Sequence, residues 1–260
     1  MGNTNSEEVQ PQQEETCECG KPIEESCKYN PKLVGTVKNL YNRHIILCTG
    51  ENDWPAKITK IEGTIAFELD KLVNAREQEI KSQVMITACT EPSRGSGMDI
   101  IVYPEAIRYI GVTDEQLQQF VEDQIVKEKI CESIKHEKLT YKQFVMVCIH
   151  ANRDKRCGRI GPMVLEKLGE ILKAKLVSDD DIAVRGCSHL AGHKFAAVVV
   201  VYPQGDWYGM MSQRNAEDLV DAYLSKGKIL SENWRGKMGE TKEASKERLE
   251  QSTTSNKNSS

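Results

Sequence analysis

The chain has 260 residues, 39% of them hydrophobic and 28% charged, with a formal net charge of -4. That is enough apolar material for one large core or two ordinary ones, and the acidic balance supplies no global basic field for nucleic acid. No stretch approaches the roughly eighteen apolar residues of a membrane span, no apolar signal core opens the chain, and its nine cysteines are too dispersed for a small disulfide scaffold. The sequence therefore predicts a soluble, cytoplasmic protein whose cysteines are free thiols or metal ligands.

In chain order, residues 1–30 are polar and acidic and predict a largely disordered N-terminal segment. Met1-Gly2-Asn3-Thr4-Asn5-Ser6 fits the Met-Gly-x-x-x-Ser/Thr pattern for N-myristoylation at Gly2. Glu7 and Glu8 stand where a basic patch would be needed, so an acyl chain there would give only weak, partial membrane association. Cys17, Cys19 and Cys27 read as free thiols, with a second metal site as the sharper alternative.

Residues 31–135 and 136–236 read as two similar lobes. HIILCTGENDWPAKI ends an apolar strand on Cys48, and FVMVCIHANRDKRCG ends one on Cys148, an offset of 100; Cys89 answers Cys187 at 98, and Pro104 answers Pro203 at 99. Each lobe reads β-α-β then β-β-α. In the first, Ile65, Leu69, Leu72 and Val73 form one helical stripe; Leu117, Phe120, Val121 and Ile125 form another, after a capping box at Thr113 to Gln116. In the second, Gly161-Pro162 is expected to open a helix carrying Val164, Leu165, Leu168, Ile171 and Leu172. The fold class predicted is α/β, two tandem thioredoxin-like lobes from an internal duplication, with a charged C-terminal tail over 237–260.

In such a lobe the loop between the first strand and first helix carries redox chemistry, because a helix N-terminus favours an anionic sulfur. Cys148 and Cys157 occupy that loop with eight residues between them, and His189 and His193 follow on a loop entering a strand. By the same offsets the first lobe has Lys57, Glu91 and Gly95 opposite Cys157, His189 and His193, so the second lobe is expected to be the active one. Two thiolates and two imidazoles suit zinc or an iron-sulfur cluster, and spacing alone leaves the two level.

The segments CIHANRDKRCG, CSHLAGHKFA, VVVVYPQGDWYG and ENWRGKMG, with LCTGENDWPAKI in the first lobe, closely resemble the sucrase/ferredoxin-like family, also called thioredoxin-like ferredoxins. The resemblance spans roughly Cys17 to Gly239. The family pattern is Cys, eight residues, Cys, a variable gap, then His-x-Gly-Gly-His, and this chain departs from it only in having Ala191 at the first glycine. The resemblance implies a soluble electron-transfer protein, rather than an enzyme with its own substrate, holding a 2Fe-2S cluster through Cys148, Cys157, His189 and His193. It also implies an electron donor and acceptor and a need for iron-sulfur assembly machinery.

Arg153, Lys155, Arg156, Arg159, Arg185 and Lys194 surround these donors in sequence and would stabilise the reduced cluster or dock an acidic electron donor, with Cys187 nearby. Histidine ligation would couple electron to proton transfer, giving about 59 mV per pH unit for one proton per electron. Cys131 is expected in a charged helix, and Trp207, Tyr208 and Trp234 in the core. Two other classes of function stand beside this one: a zinc-stabilised binding module, and a thiol oxidoreductase using Cys148 and Cys157 directly.

Overall fold

The structure is a computed structural model that describes residues 33–37, 41–81 and 83–257. Gly2, Cys17, Cys19 and Cys27 lie outside them. The chain is mixed α/β. Its strands are β1 (Tyr41–Cys48), β2 (Gln83–Cys89), β3 (Met98–Tyr103), β4 (Ile107–Val112), β5 (His136–Lys138), β6 (Gln143–Cys148), β7 (Ile182–Cys187), β8 (Val199–Tyr202), β9 (Asp206–Tyr208) and β10 (Trp234–Lys237). They form one ten-stranded sheet in the order β10-β9-β8-β6-β7-β2-β1-β3-β4-β5.

The same connectivity occurs on each side of the centre. β1 and β2 run parallel across helix α1 (Ile65–Ala75), and β3, β4 and β5 then pair antiparallel outward. β6 and β7 run parallel across helix α3 (Lys155–Ala174), and β8, β9 and β10 pair antiparallel outward. The halves meet where Cys89 of β2 faces Cys187 of β7. Since Cys48 is level with Cys89 and Cys148 with Cys187, four buried cysteines stand in a row across the middle of the sheet.

Both faces of the central strands are covered, so these strands read as unbroken apolar runs. Alternation still sorts the side chains. Ile45, Leu47, Val145, Val147, Val199 and Val201 pack under the helices, whereas Ile46, Cys48, Met146, Cys148, Val200 and Tyr202 form a second cluster on the opposite face. That second face closes on itself: Tyr103 of β3 stacks on Tyr202 of β8 with ring centroids 4.0 Å apart, although five strand positions separate them in the sheet. Flat strands would hold them roughly 24 Å apart at the usual strand spacing, so the sheet is strongly curled.

The helical stripes fall where the periodicity places them. Leu69 lies in α1, and Leu117, Phe120, Val121 and Ile125 are buried on α2 (Leu117–Phe120) and the π turn that continues it, Val121–Val126. The Thr113–Gln116 capping box is formed at the start of that segment. α4 (Ala216–Asp218) continues likewise into a π turn, Leu219–Leu224.

Two expectations are corrected, the start of α3 and the setting of Cys131. α3 starts at Lys155 rather than at Gly161-Pro162, because Asp154 caps it by accepting the Arg156 N–H at 3.0 Å, and Pro162 sits inside the helix. Within the charged segment over 237–260 the chain forms helix α5 (Lys242–Lys257). The Thr241 hydroxyl accepts the Ala244 N–H at 3.1 Å, Glu240 pairs with Arg248, and Ser245 is buried beside β10. These are polar anchors, which an apolar-stripe search passes over. Cys131 lies beyond the helical segment, buried, with its N–H on the Tyr109 hydroxyl at 2.9 Å. Among the described residues no helix is long and apolar enough to cross a membrane.

Candidate metal centre

Cys148 is the last residue of β6, and its N–H is held by the Val198 carbonyl at 2.9 Å. The chain turns through 149–154 and enters α3, so Cys157 stands in the first helical turn rather than in the loop. Two glycines bring the helix this close. A Cβ at Gly161 would stand 2.1 Å from the Cys148 carbonyl oxygen, and one at Gly158 would stand 2.4 Å from Ala151. The free N–H groups and positive end of α3 are thereby set beside the two sulfurs, both fully buried.

The two sulfurs are hydrogen-bonded to each other, and Cys148 also receives the His189 side chain and the backbone N–H groups of Leu190 and His150. These donors, the Cys157 thiol first, hold Cys148 well below the usual thiol range, while the same bond and burial push Cys157 up. Hydrogen bonding therefore favours the charged form at Cys148, while the shared bond and burial favour the neutral form at Cys157.

After β7 the chain runs back along β2: the Ser188 N–H reaches the Ala88 carbonyl at 2.8 Å and the Ser188 hydroxyl accepts the Ala88 N–H at 2.9 Å. This brings His189 to Cys148. The ring centroids of His189 and His193 are 5.8 Å apart with planes at 36°, and His193 is half-exposed, its Nε2 4.0 Å from the Asp154 carboxylate. Nδ1 of His189 is buried and has no hydrogen-bond partner. A buried nitrogen left open is costly.

The loop between the histidines is tied from beneath by Arg235 of β10. Its fully buried guanidinium donates to the Ala191 carbonyl at 2.9 Å and to the Thr36 carbonyl at 2.8 Å, and lies over the rings of Phe195 and Trp207. Gly192, at φ +95°, has no alternative residue here, since a Cβ would stand 2.4 Å from Arg235 Nη2. Ala191 in place of glycine is accommodated because its carbonyl, not its side chain, meets Arg235.

Cys157, Cys148, His189 and His193 therefore form a continuous line of contacts. Among the described residues, no group of three or more His, Cys, Asp or Glu side chains is arranged as a metal-ion site. The donors stand instead as a thiol pair and an imidazole pair.

Of the surrounding residues expected to matter, Cys187 is buried level with Cys148, its thiol pushed up by burial and then by the neighbouring thiolate. Arg153 donates to the Ala56 carbonyl at 3.3 Å, Arg156 to both oxygens of Asp154, and Lys194 lies 4.8 Å over the Phe195 ring. Lys155 and Arg159 are exposed on α3. Arg185 is committed elsewhere, to Glu91 and Asp179. The buried cation at the site is Arg235. Sequence reading placed it in the WRG stretch without a role, and neither it nor His150 carries a spacing signal.

The corresponding place in the first half is differently built. Cys48 and Cys89 are hydrogen-bonded and buried, and the Cys48 thiol is pushed up first by that bond and then by burial. Lys57 and Gly95 are exposed. Glu91 is closed off by Arg108 at 2.8 Å, Arg185 at 2.5 Å and the Tyr141 hydroxyl at 3.0 Å.

Residues 33–236 match the model of the sucrase/ferredoxin-like family. A Debaryomyces hansenii protein named altered inheritance of mitochondria protein 32 is 24% identical over 86% of this chain and 94% of its own length. Its namesake from Clavispora lusitaniae is 23% identical over 78% of this chain and 83% of its own length. Among solved structures, a thioredoxin-like 2Fe-2S ferredoxin from Aquifex aeolicus is 20% identical over 36% of this chain and 91% of its own, with a TM-score of 0.32.

Proposed function

Because this chain belongs to the sucrase/ferredoxin-like family, we propose that it is a one-electron carrier whose 2Fe-2S cluster would be held by Cys148, Cys157, His189 and His193. The observation that carries the reading is the line of contacts Cys157, Cys148, His189, His193, a thiol pair beside an imidazole pair, with Nδ1 of His189 buried and without a partner. A 2Fe-2S cluster accepts two cysteines and two histidines, the donor set these four residues would supply. When bound, the cluster supplies a centre that takes up and releases a single electron at a potential raised by its imidazoles.

The protein's residues do the rest. The Cys157 thiol and the main-chain N–H groups stabilise a thiolate at Cys148 before anything is bound. Burial of both sulfurs excludes water from the thiol end, and the half-exposed His193 gives the other end an outlet to a partner. Arg153, Lys155, Arg156, Arg159 and Lys194 are exposed and lie close to the four residues in sequence, and positive charge there, on a chain whose net charge is -4, suits a partner with an acidic face. On this reading each half is a thioredoxin-like lobe of a duplicated chain, and the first has lost its donors.

A thiol oxidoreductase is the second reading, favoured by the direct Cys148–Cys157 contact, but both sulfurs are fully buried and out of reach of a protein disulfide. Anaerobic purification separates the readings. The cluster predicts a red-brown protein with iron and acid-labile sulfide in equal amounts, absorption bleached by dithionite, and nitrogen coupling in the EPR spectrum of the reduced form. Colourless protein with stoichiometric zinc, or with neither metal, would overturn it.

A further inference from the structure

The imidazole of His150 is 1% exposed and has both ring nitrogens committed. Nε2 lies 2.8 Å from the Trp54 carbonyl oxygen, which can only accept, so Nε2 carries the proton. Nδ1 lies 3.1 Å from the backbone nitrogen of His189, which can only donate, so Nδ1 offers its lone pair. The two neighbours together select one neutral tautomer. Against the ring stands the Trp54 indole, edge to face at 5.7 Å and 86°.

Trp54 belongs to the loop that follows β1 in the other half of the sheet, and that loop is itself braced. The indole Nε1 donates to the Thr49 hydroxyl at 2.9 Å, and the Trp54 N–H donates to the Asp53 carboxylate at 2.9 Å. The Trp54 carbonyl takes a second bond from Asn152 Nδ2 at 3.2 Å, and Arg153 reaches the Ala56 carbonyl at 3.3 Å. Three residues of the loop after Cys148, His150, Asn152 and Arg153, thus grip the loop that follows β1.

We propose that His150 is a positioning residue, transmitting the placement of the Trp54 loop to the main chain of His189 and so holding that imidazole against Cys148. The inference rests on the reading of His189 as a cluster donor. A loop imidazole is free to swing unless its backbone is tied, and tying it in advance removes the ordering cost from the binding step. It also gives the first half a task. Having no donors opposite Cys157, His189 and His193, it supplies the fixed surface from which the donors of the second half are aimed.

The test uses the full chain in two arms. In the cluster-free protein, nitrogen-15 NMR of the histidines is expected to find His150 as the Nε2–H tautomer with a slowly exchanging proton; an Nδ1–H tautomer overturns the proposal. In the loaded protein, iron loss to a chelator and the EPR nitrogen coupling are compared for wild type, His150→Ala, His150→Gln and His189→Ala, with melting of each cluster-free form recorded alongside. His150→Ala is expected to lose iron on the order of 10-fold faster with altered nitrogen coupling. His150→Gln, whose amide can accept and donate, is expected to restore most of the difference. If His189→Ala keeps iron and coupling unchanged, the donor reading fails. If His189→Ala loses them while His150→Ala matches wild type in both, the positioning role alone fails. The NMR arm decides the matter even where His150→Ala does not fold.

Discussion

Arg235 donates to the carbonyl of Ala191, midway between His189 and His193, at 2.9 Å, and the partners of this buried guanidinium are carbonyls, a hydroxyl and aromatic faces. Burial lowers it to about 10, which leaves it charged at neutral pH. A buried cation whose bonded partners are uncharged favours any neighbouring group that gains negative charge. Arg235→Met is therefore expected to lower the reduction potential of the loaded protein, read by spectroelectrochemistry, and to cost on the order of 2 kcal/mol in urea unfolding from the carbonyls it strands. Arg235→Lys should restore part of the potential. An unchanged potential in Arg235→Met would remove the charge role.

Gly161 lets α3 rest on the carbonyl of Cys148. The methyl group of Gly161→Ala would have to fit 2.1 Å from that oxygen, so the helix must shift away and carry Cys157 with it. The expected result is a loss of about 1–3 kcal/mol in urea unfolding together with reduced iron per chain. Gly169→Ala, on the same helix with nothing within 4 Å, is the matched control and should retain both. Equal behaviour of the two variants would show that the close approach is immaterial.

The thiols of the two halves should separate cleanly. Cys48 and Cys89 are hydrogen-bonded to one another but have no imidazole beside them, so Cys48→Ala and Cys89→Ala should cost about 1 kcal/mol each and leave iron content unchanged. Cys148→Ala and Cys157→Ala should abolish iron binding. Loss of iron from the first-half variants would move the centre elsewhere.

Stability should fall on mild acidification because of His44. This fully buried ring bonds the Tyr202 hydroxyl at 2.6 Å and the Thr87 hydroxyl at 2.9 Å, and burial holds it at about 3 against an ordinary 6.5. Between those values the unfolded chain takes up a proton that the folded chain refuses, so stability is complete above 6.5 and declines as pH falls toward 3. The loss is roughly 1.4 kcal/mol per pH unit, or about 2 kcal/mol between pH 7 and pH 5. Urea midpoints of the wild type and His44→Gln at both pH values test this, and an equal drop in both proteins would exclude His44. Glu91 adds a loss of the same sign below its ordinary 4.5: burial would raise it, but Arg185 and Arg108 hold it lower in the folded chain.

The parts of the molecule that were legible in the sequence are those encoded over short spans. The strand ending on Cys148, the stripes of α1 and α3 and the Thr113 capping box all depend on neighbours two to four residues away, and the backbone periods of strand and helix impose those spacings. The start of α3 is not legible because Gly161-Pro162 looks like a helix boundary, whereas Gly161 serves the close approach to the Cys148 carbonyl. The helix α5 escaped notice because polar anchors, not an apolar stripe, hold it.

The sequence by itself determined which thiols and imidazoles stand near strand ends, their order along the chain, and which half carries both kinds, because residue type and strand-end position follow directly from local pattern. Only the tertiary structure decided what holds them in place: Trp54 under His150 at a separation of 96 residues, His150 under His189 at 39, and Thr36 on Arg235 at 199. Contacts at such separations arise from the curling of one sheet onto itself, and no local period records which distant carbonyl a buried nitrogen will find.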